Sequence, residues 1–395
     1  MSMSLLDWTP VFKVMINGLL LAMGPLAWVW VRQRVANPLS RLHALTLLTL
    51  FLTLDLIMFG AFTRLTDSGL GCPDWPGCYG SASPIGAHAD ISAAQSAMPS
   101  GPVTLSKAWI EMIHRYLATG VGVLILVLCG LNWRSRDQGT QVGLPLFTLL
   151  WVCVQGAFGA LTVTMKLLPA IVTLHLMGGL TLLALLTWQA VRSRALLMPG
   201  TTTPAELKTG APSWLRGALV LGLCVLVVQI ALGGWVSTNY AVLACQEVPT
   251  CQGSWWPPMN FSQGFTVWRE LGMTPEGTPI SFEALTAIHM VHRLMAVVVL
   301  FVLGALAFRM KRTPLWRTQG RWLNVLLLLQ LITGLSNVIL GWPLLAAVLH
   351  TGGAAGLLGV LTWALAVPVS AGQSAASASS TGLASSASSI GTRHA

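Results

Sequence analysis

Charged side chains are scarce in this chain of 395 residues, which has 22 lysines and arginines and only 12 aspartates and glutamates. Together they make up 9% of the sequence, whereas soluble domains carry about 25%, so a soluble globular protein is excluded. Hydrophobic residues instead reach 54%. The formal net charge of +10 need not indicate nucleic-acid binding, because basic residues also mark the cytoplasmic side of membrane proteins.

Apolar runs long enough to cross a bilayer as helices, roughly 20 residues each, recur along the whole chain. They predict an all-α polytopic membrane protein. No basic region precedes the first run, so we expect an uncleaved transmembrane helix there and not a signal peptide. The runs lie at about 11–31, 42–63, 109–132, 143–163, 169–191, 214–236, 284–308, 320–341 and 343–368.

The basic residues indicate the orientation of these segments. When the runs are placed in order, most lysines and arginines fall on one side, which is the cytoplasmic side by the positive-inside rule. The N-terminus is then periplasmic, the C-terminus cytoplasmic, and the long loops 64–108 and 237–283 lie outside. The sequence also lacks an Arg-rich, Ser-rich mitochondrial presequence, so we expect a bacterial inner membrane.

Two similar halves follow the first helix. Residues 42–193 and 214–368 each contain four apolar runs in the same orientation, which predicts two pseudo-symmetric four-helix bundles related as a parallel repeat. Residues 1–35 form an extra N-terminal transmembrane helix outside the repeat. Residues 194–213 are a cytoplasmic linker between the bundles, and the Ala- and Ser-rich residues 369–395 are expected to be a disordered cytoplasmic tail.

Four histidines recur at matched positions in the two halves. His114 and His292 open long apolar runs, while His175 and His350 each follow a glutamine at the same spacing, at 155 and 330. One such histidine is most simply a helix–helix hydrogen bond, but four matched histidines favour a shared ligand. Two imidazoles on neighbouring helices suit the two axial positions of a haem iron.

Depth and ligand type support haem over other metals. All four histidines enter from the outer side at a depth of roughly 8–12 Å, which lets a haem bury its ring while its propionates reach the interface. Zinc is less favoured, because the histidines form two distant pairs and no acidic or cysteine ligand completes either one.

Charged residues flank two of these histidines. Glu111 lies one turn before His114 on the same helix face, and His289 takes the matched position in the second half. A carboxylate there can serve as a general acid or base, or stabilise positive charge; an interfacial glutamate in water is the plainer alternative. Arg115 and Arg293 directly follow the histidines and can pair with haem propionates or reach lipid phosphates.

Two cysteine pairs lie in the outer loops. Cys72 and Cys78 are separated by six positions, as are Cys245 and Cys251. An oxidising periplasm favours disulfides within each short loop, although the sequence allows other pairings. The pairs can be purely structural or can accept electrons, and the sequence leaves both roles open.

Taken together, these motifs resemble the haem A synthase family of the bacterial, cysteine-pair type. The resemblance rests on the segment Gly-Ala-Phe-Thr-Arg-Leu-Thr-Asp-Ser-Gly-Leu at 60–70, on the cysteine pairs, on Glu111-x-x-His114-Arg115 and on the remaining three histidines. It covers roughly residues 42–368. The extra N-terminal helix and the long loop 79–107 depart from the family pattern.

The resemblance implies an oxidoreductase that converts a ring methyl of haem O to a formyl group, giving haem A for terminal oxidases. The path runs through two hydroxylations, by way of an alcohol, and loss of water. His114 and His175 are then the substrate-haem ligands and Glu111 is catalytic, while His292 and His350 bind haem B axially. The family resemblance also implies a haem O-producing farnesyltransferase as a partner.

Two rival functions are compatible with part of this pattern. A di-haem b-type membrane cytochrome, doing electron transfer only, needs the same four histidines but no carboxylate at one site. A transporter built from parallel repeats predicts polar residues at the membrane midplane, whereas here the notable polar groups cluster near the outer surface. The sequence predicts membrane lipid as its surroundings and no nucleic-acid partner; it specifies neither the electron-transfer partner nor the oligomeric state, and a homo-oligomer is compatible with it.

Overall fold

Long apolar helices dominate the protein. The computed structural model describes residues 9–198 and 212–367, and these residues contain helices but no named β-strand. Nine helices in this part of the chain are long and apolar enough to cross a membrane, which confirms the predicted all-α polytopic fold. They are α1 Thr9–Arg32, α2 Pro38–Leu65, α3 Leu105–Arg134, α4 Gly143–Thr164, α5 Pro169–Leu197, α6 Ser213–Thr238, α7 Phe282–Arg312, α8 Arg317–Ile339 and α9 Leu344–Ala366. The predicted tail and most of the predicted linker lie outside the described residues.

Side-chain caps fix where three of these helices begin. The amide of Ser40 donates to the side chain of Asn37 at 2.7 Å before α2. Thr104 and Ser281 accept in the same way at the starts of α3 and α7. Capping satisfies backbone N–H groups that have no partner inside the helix. These caps therefore extend α3 and α7 beyond the apolar runs at their N-terminal ends.

The helices after α1 pack as two closed rings of four. In the first unit, α2 contacts α3, α3 contacts α4, α4 contacts α5, and α5 returns to α2. In the second unit, α6, α7, α8 and α9 close a ring by the same sequence of contacts. Equivalent helices thus occupy equivalent positions, as expected for a duplicated four-helix bundle.

The two units meet along α2, α5, α6 and α9. Helix α9 packs on α2 and α5, and α5 packs on α6. This set of contacts is unchanged when the helices of one unit are exchanged for their equivalents in the other, so the interface is pseudo-symmetric. Buried leucines fill this seam, including Leu180, Leu226 and Leu361. At the end of the bundle that has the disulfide loops, Arg64 on α2 donates to the carbonyl of Ser237 at 2.6 Å. The units therefore share one core and a polar contact near these loops.

The extra helix α1 packs closely against α3 of the first unit. A Cβ added to Gly18 would collide with the side chain of Thr119, so only glycine permits this approach. One turn nearer the N-terminus of α1, Val14 belongs to the buried cluster that contains Cys72 and Cys78. Helix α1 therefore covers both α3 and the first disulfide loop.

Candidate functional site

The four predicted ligand histidines all lie near the same end of the bundle as the two disulfide loops. His114 and His292 lie between about two and three turns inside α3 and α7, whereas His175 and His350 lie less than about two turns inside α5 and α9. At 1.5 Å per residue these positions are about 9 to 15 Å from the helix ends. These values are distances along the helix, and the capped turns at the starts of α3 and α7 lie outside the apolar runs and add to the first two of them.

Each histidine ring lies over a glycine on the preceding helix. A Cβ added to Gly60 would lie 3.1 Å from Cε1 of His114, closer than most side-chain contacts allow. This contact between a glycine and a ligand histidine, here called a glycine seat, occurs in all four pairs of consecutive helices from α2 to α9, so it is part of the repeat. The other three distances are 3.6 Å for Gly159 and His175, 3.0 Å for Gly233 and His292, and 3.3 Å for Gly334 and His350.

The two units differ in what the ring nitrogen Nδ1 contacts. In the second unit, Oγ1 of Thr333 lies 3.0 Å from Nδ1 of His350, and the amide of Gln229 lies 3.2 Å from Nδ1 of His292. In the first unit, Nδ1 of both histidines is buried and has no hydrogen-bond partner among the described residues. The repeated histidines therefore have unequal surroundings.

The two histidines of each unit lie near each other, on opposite helices of its ring of four. His114 and His175 are close enough to interact electrostatically, and so are His292 and His350. The described residues contain no group of three or more metal-binding side chains. This donor set fits haem, whose porphyrin supplies the other four iron ligands, better than zinc, which takes four ligands from side chains and water.

Glu111 lies one turn from His114 and is only 4% exposed. One carboxylate oxygen accepts the backbone N–H of Cys72 at 2.8 Å, and the other forms an ion pair with Arg115. The matched residue His289 is also buried, and its Nε2 accepts from Nε of Arg293 at 3.2 Å. Glutamate and histidine thus both accept a hydrogen bond from the arginine four positions later, and Glu111 forms an ion pair as well.

Arg115 and Arg293 hold the two disulfide loops. Each guanidinium donates to three backbone carbonyls of its own loop, and two of the three lie at matched positions, two and five residues after the first cysteine, so both arginines form part of the repeat. Contact of these arginines with haem propionates stays a prediction, and both guanidinium groups already donate to carbonyls of the protein. The accepting carbonyls are Asp74 at 2.9 Å, Pro76 at 3.2 Å and Gly77 for Arg115, and Cys245 at 2.9 Å, Glu247 at 2.9 Å and Thr250 at 3.2 Å for Arg293.

The structure contains both predicted disulfides, Cys72–Cys78 and Cys245–Cys251. An acidic side chain organises each loop. Asp74 accepts the backbone N–H groups of the two residues after Cys78, and the carboxylate of Glu247 accepts from Gly253 and Thr250. These hydrogen bonds lower the pKa of exposed Glu247 from its ordinary value of 4.5.

Some contacts at this site were not predicted from the sequence. The glycine seats and the Nδ1 partners Thr333 and Gln229 were missed. A signal was present: the segment Gln-x-x-x-Gly recurs at 155–159 and 330–334, and its glycine precedes the ligand histidine by the same interval in both halves. The side chain of Gln330 also donates to the carbonyl of His350 at 2.8 Å.

The fold and site define a class: polytopic helical membrane proteins in which two four-helix units each contain a histidine pair near the end of the bundle that has the disulfide loops. The chain belongs to the COX15-CtaA family, described as cytochrome oxidase assembly protein, whose model matches residues 43–362. That match spans both units and leaves out α1.

Individual relatives agree with this family. A protein from Shewanella oneidensis is 40% identical over 311 residues, covering 79% of this chain and 92% of the relative. A protein from Methylobacterium radiotolerans is 27% identical over 76% of this chain and 82% of its own length. One from Halalkalibacterium halodurans is 26% identical over 74% and 86%. All three are named heme A synthase.

Proposed function

We propose that this protein is a haem A synthase, an oxidoreductase that converts a ring methyl of haem O to the formyl group of haem A. The names of its relatives support this function over that of a simple cytochrome. The observation that carries the proposal is the inequality of the two units: a buried carboxylate, Glu111, stands beside one histidine pair, and His289 takes its place beside the other.

In this proposal the first unit binds the substrate. His114 and His175 hold haem O by its iron, with their rings seated on Gly60 and Gly159. Glu111 lies one turn away and already acts as a hydrogen-bond acceptor on both oxygens. A buried carboxylate in this position is suited to receive a proton or to stabilise positive charge at the oxidised methyl.

In the second unit, His292 and His350 would hold haem B. A bound haem supplies one-electron chemistry that side chains cannot provide. Thr333 and Gln229 orient the two ligand rings, and the leucine-rich core between the units excludes water. The absence of a carboxylate at position 289 suits a site that handles electrons and not methyl chemistry.

The proposed location is the bacterial inner membrane, with the N-terminus in the periplasm and a haem O-producing farnesyltransferase as the supplier of substrate. Both disulfides lie on the histidine side of the molecule, which suits an oxidising compartment. Cysteines introduced by Trp255→Cys and Gln141→Cys should test this. An impermeant maleimide should label the first in intact spheroplasts and the second only after lysis.

Pigment analysis tests the function directly. The full chain, purified from cells that supply haem O, should yield haem B together with haem O, its hydroxylated derivative or haem A on extraction and chromatography. A preparation that yields haem B alone in both units would instead identify a di-haem cytochrome.

A further inference from the structure

The Thr333 hydroxyl determines which nitrogen of His350 is free to bind iron. Its Oγ1 donates to the carbonyl of Leu329 at 2.7 Å, so its only proton is already used. The contact of 3.0 Å with Nδ1 of His350 must then run the other way, with the ring N–H donating to Oγ1. A ring protonated at Nδ1 has an unprotonated Nε2, which is the nitrogen that a metal takes.

Gln229 gives His292 a similar neighbour. Its side-chain amide lies 3.2 Å from Nδ1, and its Oε1 is buried without a hydrogen-bond partner in the described part of the chain. Rotation of the amide by half a turn brings this oxygen to Nδ1–H, in exchange for the contact of 3.3 Å that the amide nitrogen makes with the backbone carbonyl of His292. Both ligand rings of the second unit therefore have an acceptor available for Nδ1.

The first unit has apolar residues at the matched positions. Phe158 directly precedes Gly159 in α4, as Thr333 directly precedes Gly334 in α8. Leu56 lies four residues before Gly60 in α2, as Gln229 lies four residues before Gly233 in α6. Both Phe158 and Leu56 pack into apolar clusters. Neither side chain can accept a hydrogen bond, which explains why Nδ1 is unpartnered in this unit.

A hydrogen bond to the outer nitrogen of a ligand histidine fixes the ring and raises its basicity, and losing one costs about 10- to 100-fold in metal affinity. We propose that Thr333 and Gln229 are positioning residues that make the second unit retain its haem. Phe158 and Leu56 then give the first unit a lower affinity for haem, which suits a haem that enters as substrate and leaves as product. This assignment of roles rests on the proposed function.

Haem capture by excess apomyoglobin tests the proposal with the purified full chain. Haem should leave in two phases, a fast one that His175→Ala removes and a slow one that His350→Ala removes. Thr333→Val should accelerate only the slow phase, by about ten-fold or more, and should raise the reduction potential of that haem. Thr333→Ser keeps the hydroxyl and should behave as the wild type does.

A matched control is available on the neighbouring helix. Thr362 is buried in α9 and makes the same bond to the carbonyl four residues earlier, at 2.8 Å. It lies about three turns further along the helix than His350, too far away to touch the ring. Thr362→Val should therefore change neither phase. In the first unit, Phe158→Thr supplies the missing acceptor for His175 and should slow the fast phase.

The outcomes separate the two proposals. An unchanged slow phase and potential in Thr333→Val, or equal loss of haem in the Val and Ser variants, would overturn the positioning role whatever product the enzyme makes. A preparation that contains only haem B overturns the proposed function, while the effect of Thr333→Val on the slow phase still tests the positioning role.

Discussion

The carboxylate of Glu111 accepts the backbone N–H of Cys72 at 2.8 Å, which ties the ligand helix α3 directly to the first disulfide loop. Its second oxygen pairs with Arg115, and that guanidinium donates to carbonyls of the same loop. Glu111 therefore has two separable properties: it is a hydrogen-bond acceptor for the loop, and it is a negative charge beside His114.

The first prediction separates these two properties of Glu111. Glu111→Gln keeps an oxygen for the Cys72 amide but removes the charge, whereas Glu111→Ala removes both. Because the proposed chemistry uses the charge, both variants should retain haem and stop conversion of haem O, as measured by chromatography of extracted pigments.

Conversion that survives in Glu111→Gln but fails in Glu111→Ala would show that the residue only anchors the loop. Thermal unfolding in detergent gives a second measurement. Only Glu111→Ala leaves the amide of Cys72 without its acceptor, so this variant should unfold at the lower temperature.

The second prediction compares the two loop-holding arginines. Arg115 is 9% exposed and pairs with a buried carboxylate, so Arg115→Ala should cost about 3 to 5 kcal/mol. Arg293 is half-buried, its partner on the same helix is the imidazole of His289, and the carboxylate that attracts it, Glu247, is exposed to solvent, so Arg293→Ala should cost only about 1 to 3 kcal/mol. Chemical unfolding followed by tryptophan fluorescence measures both, and equal losses would contradict the ranking.

The sequence predicted the helices and the paired histidines because both depend on local patterns. Runs of apolar residues determine which segments span the membrane, and matched spacing identified His114 and His292 as equivalents. The glycine seats and the Thr333 contact depend on how each helix is rotated toward its neighbour, which a single sequence does not specify. The loop carbonyls that Arg115 binds likewise depend on a loop conformation that the cysteine spacing alone does not determine.

The third prediction concerns the glycine seats. A Cβ on Gly233 would lie 3.0 Å from Cε1 of His292, so Gly233→Ala should displace the ring. Overpacking of this kind costs about 1 to 3 kcal/mol, and the haem content of the second unit should fall, as measured by absorbance of the purified protein.

Gly217 on the same helix provides the control. A Cβ there meets nothing within 4 Å, so Gly217→Ala should leave the haem content unchanged and stabilise α6 by up to about 1 kcal/mol. Equal haem loss in both alanine variants would mean that helix propensity, and not the contact with the ring, accounts for the effect.

The fourth prediction assigns the extra helix α1 a protective role. Gly18 allows α1 to approach Thr119, so Gly18→Leu should push α1 away from α3, whereas Gly24 meets nothing within 4 Å and Gly24→Leu should be tolerated. Because α1 helps bury the Cys72–Cys78 disulfide, its displacement should expose that bond to reductant.

The Cys245–Cys251 disulfide belongs to a separate buried cluster without α1 and serves as an internal control. Thiol alkylation followed by mass spectrometry should therefore show faster reduction of the first disulfide only, and only in Gly18→Leu; equal reduction of both disulfides would place the effect elsewhere in the fold.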